Sequence, residues 1–368
     1  MGGDRPQPQT HGMKLIFDAH LDLSLNALDY NRDLRQELNA IRAEEIGKSD
    51  LGGRGNGVVC FPEMRRGGIG LCVATLLAGC MKPGAVASGW NAPEIAWAQT
   101  QGQLSWYRAM EELGELEQIT DRRSLERVLA RWKDGESDGA LGYLLSLEGS
   151  DSIRTVGHLE DAYAQGLRAL GPAHFGVGRY ALGHDRVGPL SEVGRELVRE
   201  MDRLGIILDT THLCNRTFHD ALDLHQGPVW ASHSNCRALV DDPRQFTDEQ
   251  IKRLIERGSV IGAALDAWML VPGWHRGLST PEGSGVILDH MLDHTDHICQ
   301  LAGNADHVGI GSDLDGGFGT EQTAQDLNSI ADLARLEGLL ENRGYSEADI
   351  NKIFHGNFIR FLRTHLPE

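Results

Sequence analysis

Residues 15–22 read LIFDAHLD, an apolar run that breaks within a few positions into His20 and Asp22. Four more stretches repeat the form: LGYLLSLEG at 141–149, GIILDTTH at 205–212, PVWASH at 228–233 and HVGIGSD at 307–313. Each apolar part is about six residues long, rich in Val, Ile and Leu and bounded by Gly or polar residues, as in a strand buried on both faces. Each stretch then ends in an acidic or metal-binding side chain. In a parallel barrel the carboxyl ends of all strands open onto one face, so residues far apart in sequence converge there. The predicted fold class is α/β, a (β/α)8 TIM barrel.

Working outward, residues 69–77 (IGLCVATLL) read as the second strand, 167–175 (LRALGPAHF) as the fourth and 259–266 (SVIGAALD) as the seventh. Between the runs lie stretches with helical spacing at 92–116, 192–204, 248–256 and 287–302. The chain has 368 residues, more than the roughly 250 of a typical barrel. The surplus falls in a long first βα loop, residues 29–67, and in C-terminal helices over 322–363. The loop is charged and helix-like over 32–46, then glycine-rich over 52–57, and is expected to cover the site face as a lid or pocket wall. No linker interrupts the pattern. Residues 1–12 read as a polar tail and 13–368 as one hydrolase barrel domain.

His20 and Asp22 lie two apart, so on a strand of period two both can point into one barrel mouth. Neutral imidazole and carboxylate suit zinc and similar divalent ions. Glu148, His212 and His233 extend the set, and Glu148, with two oxygens, is the candidate bridge between two cations. Such a pair lowers the pKa of a shared water and polarises a carbonyl. Asp313 is placed to carry a proton from attacking water to a leaving amine. With sixteen histidines in the chain, any one alone is ordinarily a surface or core-edge residue, and acidic residues at strand ends often cap helices. The case rests on five coincidences together.

These motifs resemble the renal (membrane) dipeptidase family of zinc peptidases, within the amidohydrolase superfamily. The resemblance runs over most of the chain: His20-Leu21-Asp22, Leu147-Glu148-Gly149, Thr211-His212, Ser232-His233-Ser234-Asn235, Gly311-Ser312-Asp313-Leu314-Asp315-Gly316, and Gly356, Asn357 and Arg360 near the C-terminus. It implies two zinc ions, with His20 and Asp22 on one, His212 and His233 on the other, and Glu148 bridging. It implies that His174 contacts the scissile carbonyl and that Arg244 holds the substrate carboxylate, with Arg237 the fallback if a gap shifts the alignment. The implied activity is cleavage of L-Xaa-L-Xaa and L-Xaa-D-Xaa dipeptides by metal-bridged hydroxide, and the implied assembly is a homodimer. Hydrolysis of N-acyl amino acids or lactones, or a metal-binding barrel without catalysis, are the alternatives.

Residues 176–181 (GVGRYA) fit a dinucleotide fingerprint, but that fingerprint needs a helix next, and Gly183, Gly188 and Pro189 follow. A net charge of -18 disfavours nucleic acid as a partner. No stretch approaches the roughly 20 apolar residues of a membrane span. Six cysteines without CxxC spacing read as reduced side chains, so a cytoplasmic location is expected.

Overall fold

Every quoted run forms a strand in the computed structural model, which describes residues 14–80, 89–133 and 139–368. The expected tail, residues 1–12, lies outside the described residues. In chain order the strands are β1 (Ile16–Leu21), β2 (Ile69–Leu77), β3 (Leu116–Gln118), β4 (Leu141–Glu148), β5 (Leu167–Gly171), β6 (Ile207–Asp209), β7 (Val229–Trp230), β8 (Ile261–Ala263) and β9 (Val308–Ile310). All pairings are parallel, in the order β7-β6-β5-β4-β2-β1-β9-β8. A parallel bridge between Ala231 and Ile261 joins the two ends of this path and nearly closes the eight-stranded barrel. Short β3 stands outside the barrel, paired to the start of β4. It was not expected from sequence, because three residues carry no legible periodicity.

Two apolar clusters hold the barrel. One gathers Phe17, Leu71, Val73, Leu144, Ala169, Ile207, Trp230 and Val260 with Phe358, Phe361 and Leu362 of the helix Asn357–His365. The Phe358 ring stacks on Phe17 at 5.1 Å and meets Trp230 edge-on at 5.8 Å, so the C-terminal helix plugs the barrel end away from the site. Asn357 fixes that plug by donating to the carbonyls of Ala305 (2.6 Å) and Val308 (2.8 Å), at the entry to β9. The late Gly-x-Asn-x-x-Arg motif therefore serves the fold. The other cluster packs opposite-facing strand residues such as Ile16, Cys72 and Leu145 against Leu197, Val198, Met201, Ile251 and Leu254 of surrounding helices. Each such fully buried side chain contributes about 1.5–3 kcal/mol.

The helices Glu192–Leu204 and Asp248–Glu256 fall on their expected bounds, while the other two expected helices run Pro93–Glu112 and Asp289–Ala302. The expectation of a helix over 32–46 is corrected to the shorter Leu38–Glu44. Arg32 is drawn instead into a buried network, with bonds to Glu45 (2.9 Å), Asn26 (2.7 Å) and the Gly53 carbonyl (3.1 Å) and an ion pair to Asp315 (3.3 Å). The Asp315 carboxylate also accepts from the amides of Val58 and Val59. The long first loop is thus tied to the turn after β9, on the carboxyl face of the barrel. No helix among the described residues is long and apolar enough to cross a membrane, and no disulfide joins the described cysteines.

Candidate metal centre

His20 is in β1, where a register shift interrupts pairing with β2 between Asp18 and Leu21. Asp22 immediately precedes the helix Leu23–Leu28, and Glu148 is the last residue of β4. His212, His233 and Asp313 each stand three residues beyond β6, β7 and β9. Barrel closure brings all six together. Glu148 Oε1 lies 2.9 Å from His212 Nε2, 3.5 Å from His233 Nε2 and 3.7 Å from His20 Nε2. His20 Nε2 is also 3.8 Å from one oxygen each of Asp22 and Asp313. Ligand atoms lie within 4.8 Å of one another in the sets His20-Asp22-Glu148, Glu148-His212-His233 and His20-His233-Asp313. The first two have the composition of the half-sites that the family resemblance implies, and they share Glu148.

Several residues that hold this arrangement were not singled out from sequence. Ser232 Oγ lies 2.9 Å from His233 Nδ1 and 3.4 Å from His20 Nδ1, so both imidazoles turn Nε2 toward the centre. Asp18 accepts from the amides of His20 and Ser312, and Asp209 from those of Thr211 and Ser232. Each buried carboxylate thereby clamps the ends of two neighbouring strands. Their only sequence signal is an acid inside an apolar run. Thr75 donates to Asp22. His212 (φ 67°), Asp313 (φ 58°) and Asp315 (φ 62°) adopt left-handed backbone conformations, which Asp and His tolerate better than most residues and which concentrate at functional sites.

The electrostatics favour cations. Burial opposes charge on His20, yet Glu148, Asp22 and Asp313 outweigh it and hold the imidazole up at about 10. Burial pushes Glu148 up to about 8 and Asp313 up to about 7; nearby Asp22 adds to both shifts and His20 opposes them. Burial holds His212 and His233 well below the ordinary range, as bare imidazoles. His20 Nε2 is buried without a hydrogen-bond partner among the described residues. Three clustered carboxylates and three inward Nε2 atoms, one of them orphaned, fit divalent cations with mixed N and O preference.

Asp313 is the most exposed of the six, at 16%, and so is the acid most open to solvent. His174 follows β5, its ring 4.5 Å from that of His212 and nearly perpendicular to it, and burial lowers its pKa to about 4. Arg244 is 3% exposed and donates to Ser234 Oγ (3.1 Å) and the His233 carbonyl (2.8 Å). No carboxylate among the described residues lies within ion-pair distance of it. Arg237 instead pairs with Asp241 on the surface at 2.8 Å. Residues 176–181 form part of a hairpin rather than a phosphate loop: Val177 bridges Leu182, and the next helix begins only at Glu192.

Comparison with known proteins agrees with this geometry. A model of the membrane dipeptidase family (peptidase family M19) matches residues 10–366. An uncharacterised protein from the pqqA 5′ region of Klebsiella pneumoniae is 29% identical over 236 residues, which is 62% of this chain and 83% of that one. The dipeptidase tcpJ of Claviceps purpurea is 30% identical over 230 residues, 60% of this chain and only 51% of that longer one. Among solved structures, the metallo peptidase dipeptidase AC superposes with a TM-score of 0.72 at 25% identity, covering 97% of this chain and all of its own. A metallo peptidase from Rhodobacter sphaeroides, liganded with a phosphinate mimic of L-Ala-D-Ala, shares the fold with a TM-score of 0.71 at 24% identity, over 96% and 99% of the two chains. Matched from near one end to the other in both sequence and fold, the chain belongs to the membrane dipeptidase family, peptidase family M19, a family of metal-dependent hydrolases of dipeptidase type.

Proposed function

We propose that this protein is a binuclear zinc dipeptidase that hydrolyses L-Xaa-L-Xaa and L-Xaa-D-Xaa dipeptides. One combination carries the reading: a ligand cluster centred on Glu148 lies beside a buried arginine, Arg244, that has no carboxylate partner among the described residues. His20, Asp22 and Glu148 would hold one cation, and Glu148, His212 and His233 the other. When bound, the cations supply Lewis-acid polarisation of the scissile carbonyl and lower the pKa of water.

The protein side chains supply the rest. Arg244, braced by Ser234 and the His233 carbonyl, keeps donors for the terminal carboxylate of the substrate, and a planar guanidinium binds that group in two-pronged fashion. Anchoring the carboxylate sets which carbonyl reaches the centre, and a free substrate amine held at a metal or a nearby carboxylate at the other end would complete the selection for length. His174, held neutral by burial, donates an N–H to the oxygen on which negative charge develops. Asp313 takes the proton of the attacking water and returns it to the leaving amine; burial pushes its carboxyl to about 7, close to the working range of a proton carrier. Arg244 favours a free carboxylate over a lactone. The stereochemical range and a homodimer come from the family resemblance. A reducing, cytoplasmic setting and one catalytic domain over 13–368 complete the proposal, and gel filtration checks the dimer.

The test compares zinc-loaded and chelator-stripped protein on both dipeptide classes, tripeptides, C-terminal amides, N-acetylated dipeptides and lactones, with metal content measured alongside. The expected result is about two metals per chain and metal-dependent cleavage confined to dipeptides with a free carboxylate. Bound metal without dipeptide cleavage would move the reaction to another acyl substrate. A chain that binds no metal would overturn the reading.

A further inference from the structure

His212 turns one ring nitrogen to the centre, with Nε2 2.9 Å from Glu148 Oε1 and 3.1 Å from His233 Nε2. A neutral imidazole carries one proton, and a nitrogen that ligates a metal must be bare. Its proton then sits on Nδ1 and needs an acceptor, because a metal-bound histidine is oriented by what its other nitrogen bonds. His20 and His233 both direct Nδ1 to Ser232 Oγ, and one hydroxyl has two lone pairs for that purpose. His212 Nδ1 faces a different atom: Nδ1 of His184, at 3.4 Å.

His184 is buried, at 8% exposure, with the Phe175 ring packed edge-on against it at 4.6 Å. It follows directly on the hairpin that leaves His174. Within that hairpin Val177 bridges Leu182, and the Gly183 amide donates to the Gly176 carbonyl at 2.8 Å. The same hairpin docks on the backbone just past His212: Gly183 bridges Leu213, and the Cys214 amide donates to the Leu182 carbonyl at 3.0 Å. Position 183 must be glycine for this to occur, since a Cβ there would lie 2.1 Å from the His174 carbonyl oxygen. One element therefore supports both the left-handed backbone and the outer ring nitrogen of His212.

We propose that His184 is the positioning residue for His212: its Nδ1 accepts the His212 Nδ1 proton and leaves Nε2 bare and aimed at the metal centre. The inference rests on the metal-site reading above and concerns one half-site, that of Glu148, His212 and His233.

The experiment uses the full chain with His184→Phe, which fills the ring's space without an acceptor, and His184→Asn, whose Oδ1 replaces Nδ1 as acceptor. Zinc affinity is measured by competition with a chromophoric chelator, and the half-site is read from the absorption spectrum of the cobalt-substituted protein. The Phe variant should bind one of its two metals 10–100-fold more weakly, with an altered cobalt spectrum, while the Asn variant stays near wild type. If the Phe variant melts below wild type before metal is added, His184→Leu takes its place. Wild-type affinity and spectrum in the apolar variant would overturn the assignment, and so would equal losses in the apolar and Asn variants. A wild-type chain that binds no metal would instead sink the metal-site reading itself. A wild-type chain with two metals but no dipeptidase activity would leave the His184 test intact.

Discussion

Among single residues, Asp313 combines a left-handed backbone, partial exposure and a carboxyl raised by burial. Substituting Asp313→Asn keeps size and polarity but removes the proposed proton carrier. The expected outcome is a fall in kcat of about 10²–10⁴-fold with both metals retained; unchanged kcat, or loss of metal, would remove Asp313 from that role. Asp266 gives a separate prediction about pH. Burial pushes its carboxyl up to about 6, although Arg276, Trp268 and Gln322 favour its charged form. The folded chain therefore holds this proton more tightly than the unfolded chain does. The associated stability is complete below about pH 4 and is lost as pH rises through 6. Relative to Asp266→Asn, wild type should lose on the order of 2–3 kcal/mol between those limits, read from denaturant unfolding at both ends. A difference that does not vary with pH would show that Asp266 keeps its ordinary pKa. His20, Asp22, Glu148, His212 and His233 were legible as candidate ligands because imidazole and carboxylate announce their chemistry by type. Ser232 and His184 were not, because their roles come from which nitrogen of another residue they face.

At the scale of elements, capping and periodicity set the expected helix bounds well. Ser191 accepts from the Gly194 amide, and Thr247 and Gln250 form a reciprocal capping box, so both of those helices start where local chemistry starts them. Residues 32–46 behaved otherwise, since the buried pairs of Arg32 with Glu45 and Asp315 outweigh local helix preference. Close backbone approach could not be read locally either. Where β7, β8 and β9 meet, a Cβ on Gly311 would lie 1.8 Å from the Ser232 carbonyl, and one on Gly262 would lie 2.0 Å from it. A Gly311→Ala substitution should therefore push back the segment carrying Ser232 and His233. It should cost about 3 kcal/mol and weaken metal binding as well, measured by thermal melting and chelator competition. A variant as stable and metal-tight as wild type would mean the three strands separate without consequence.

For the whole molecule, the metal centre and the barrel support each other. Cations that bind only the folded chain stabilise it by mass action, and at the proposed site they would also offset the repulsion among Asp22, Glu148 and Asp313. Stripping with a chelator should lower Tm by on the order of 10 °C, and zinc should restore it; an unchanged Tm would mean the cations contribute nothing to folding. From sequence alone came the barrel class, the strands bearing the candidate ligands, and the side-chain types able to bind metal, since apolar period and side-chain chemistry are local properties. The tertiary structure decided the rest: that Glu148 is the hub, that Arg244 rather than Arg237 is buried without a carboxylate, and that the late Asn357 motif serves the far end of the barrel. Those outcomes depend on distances between segments as remote as Asp18 and Ser312, 294 residues apart. Such distances exist only once the closing sheet has brought its strand ends together.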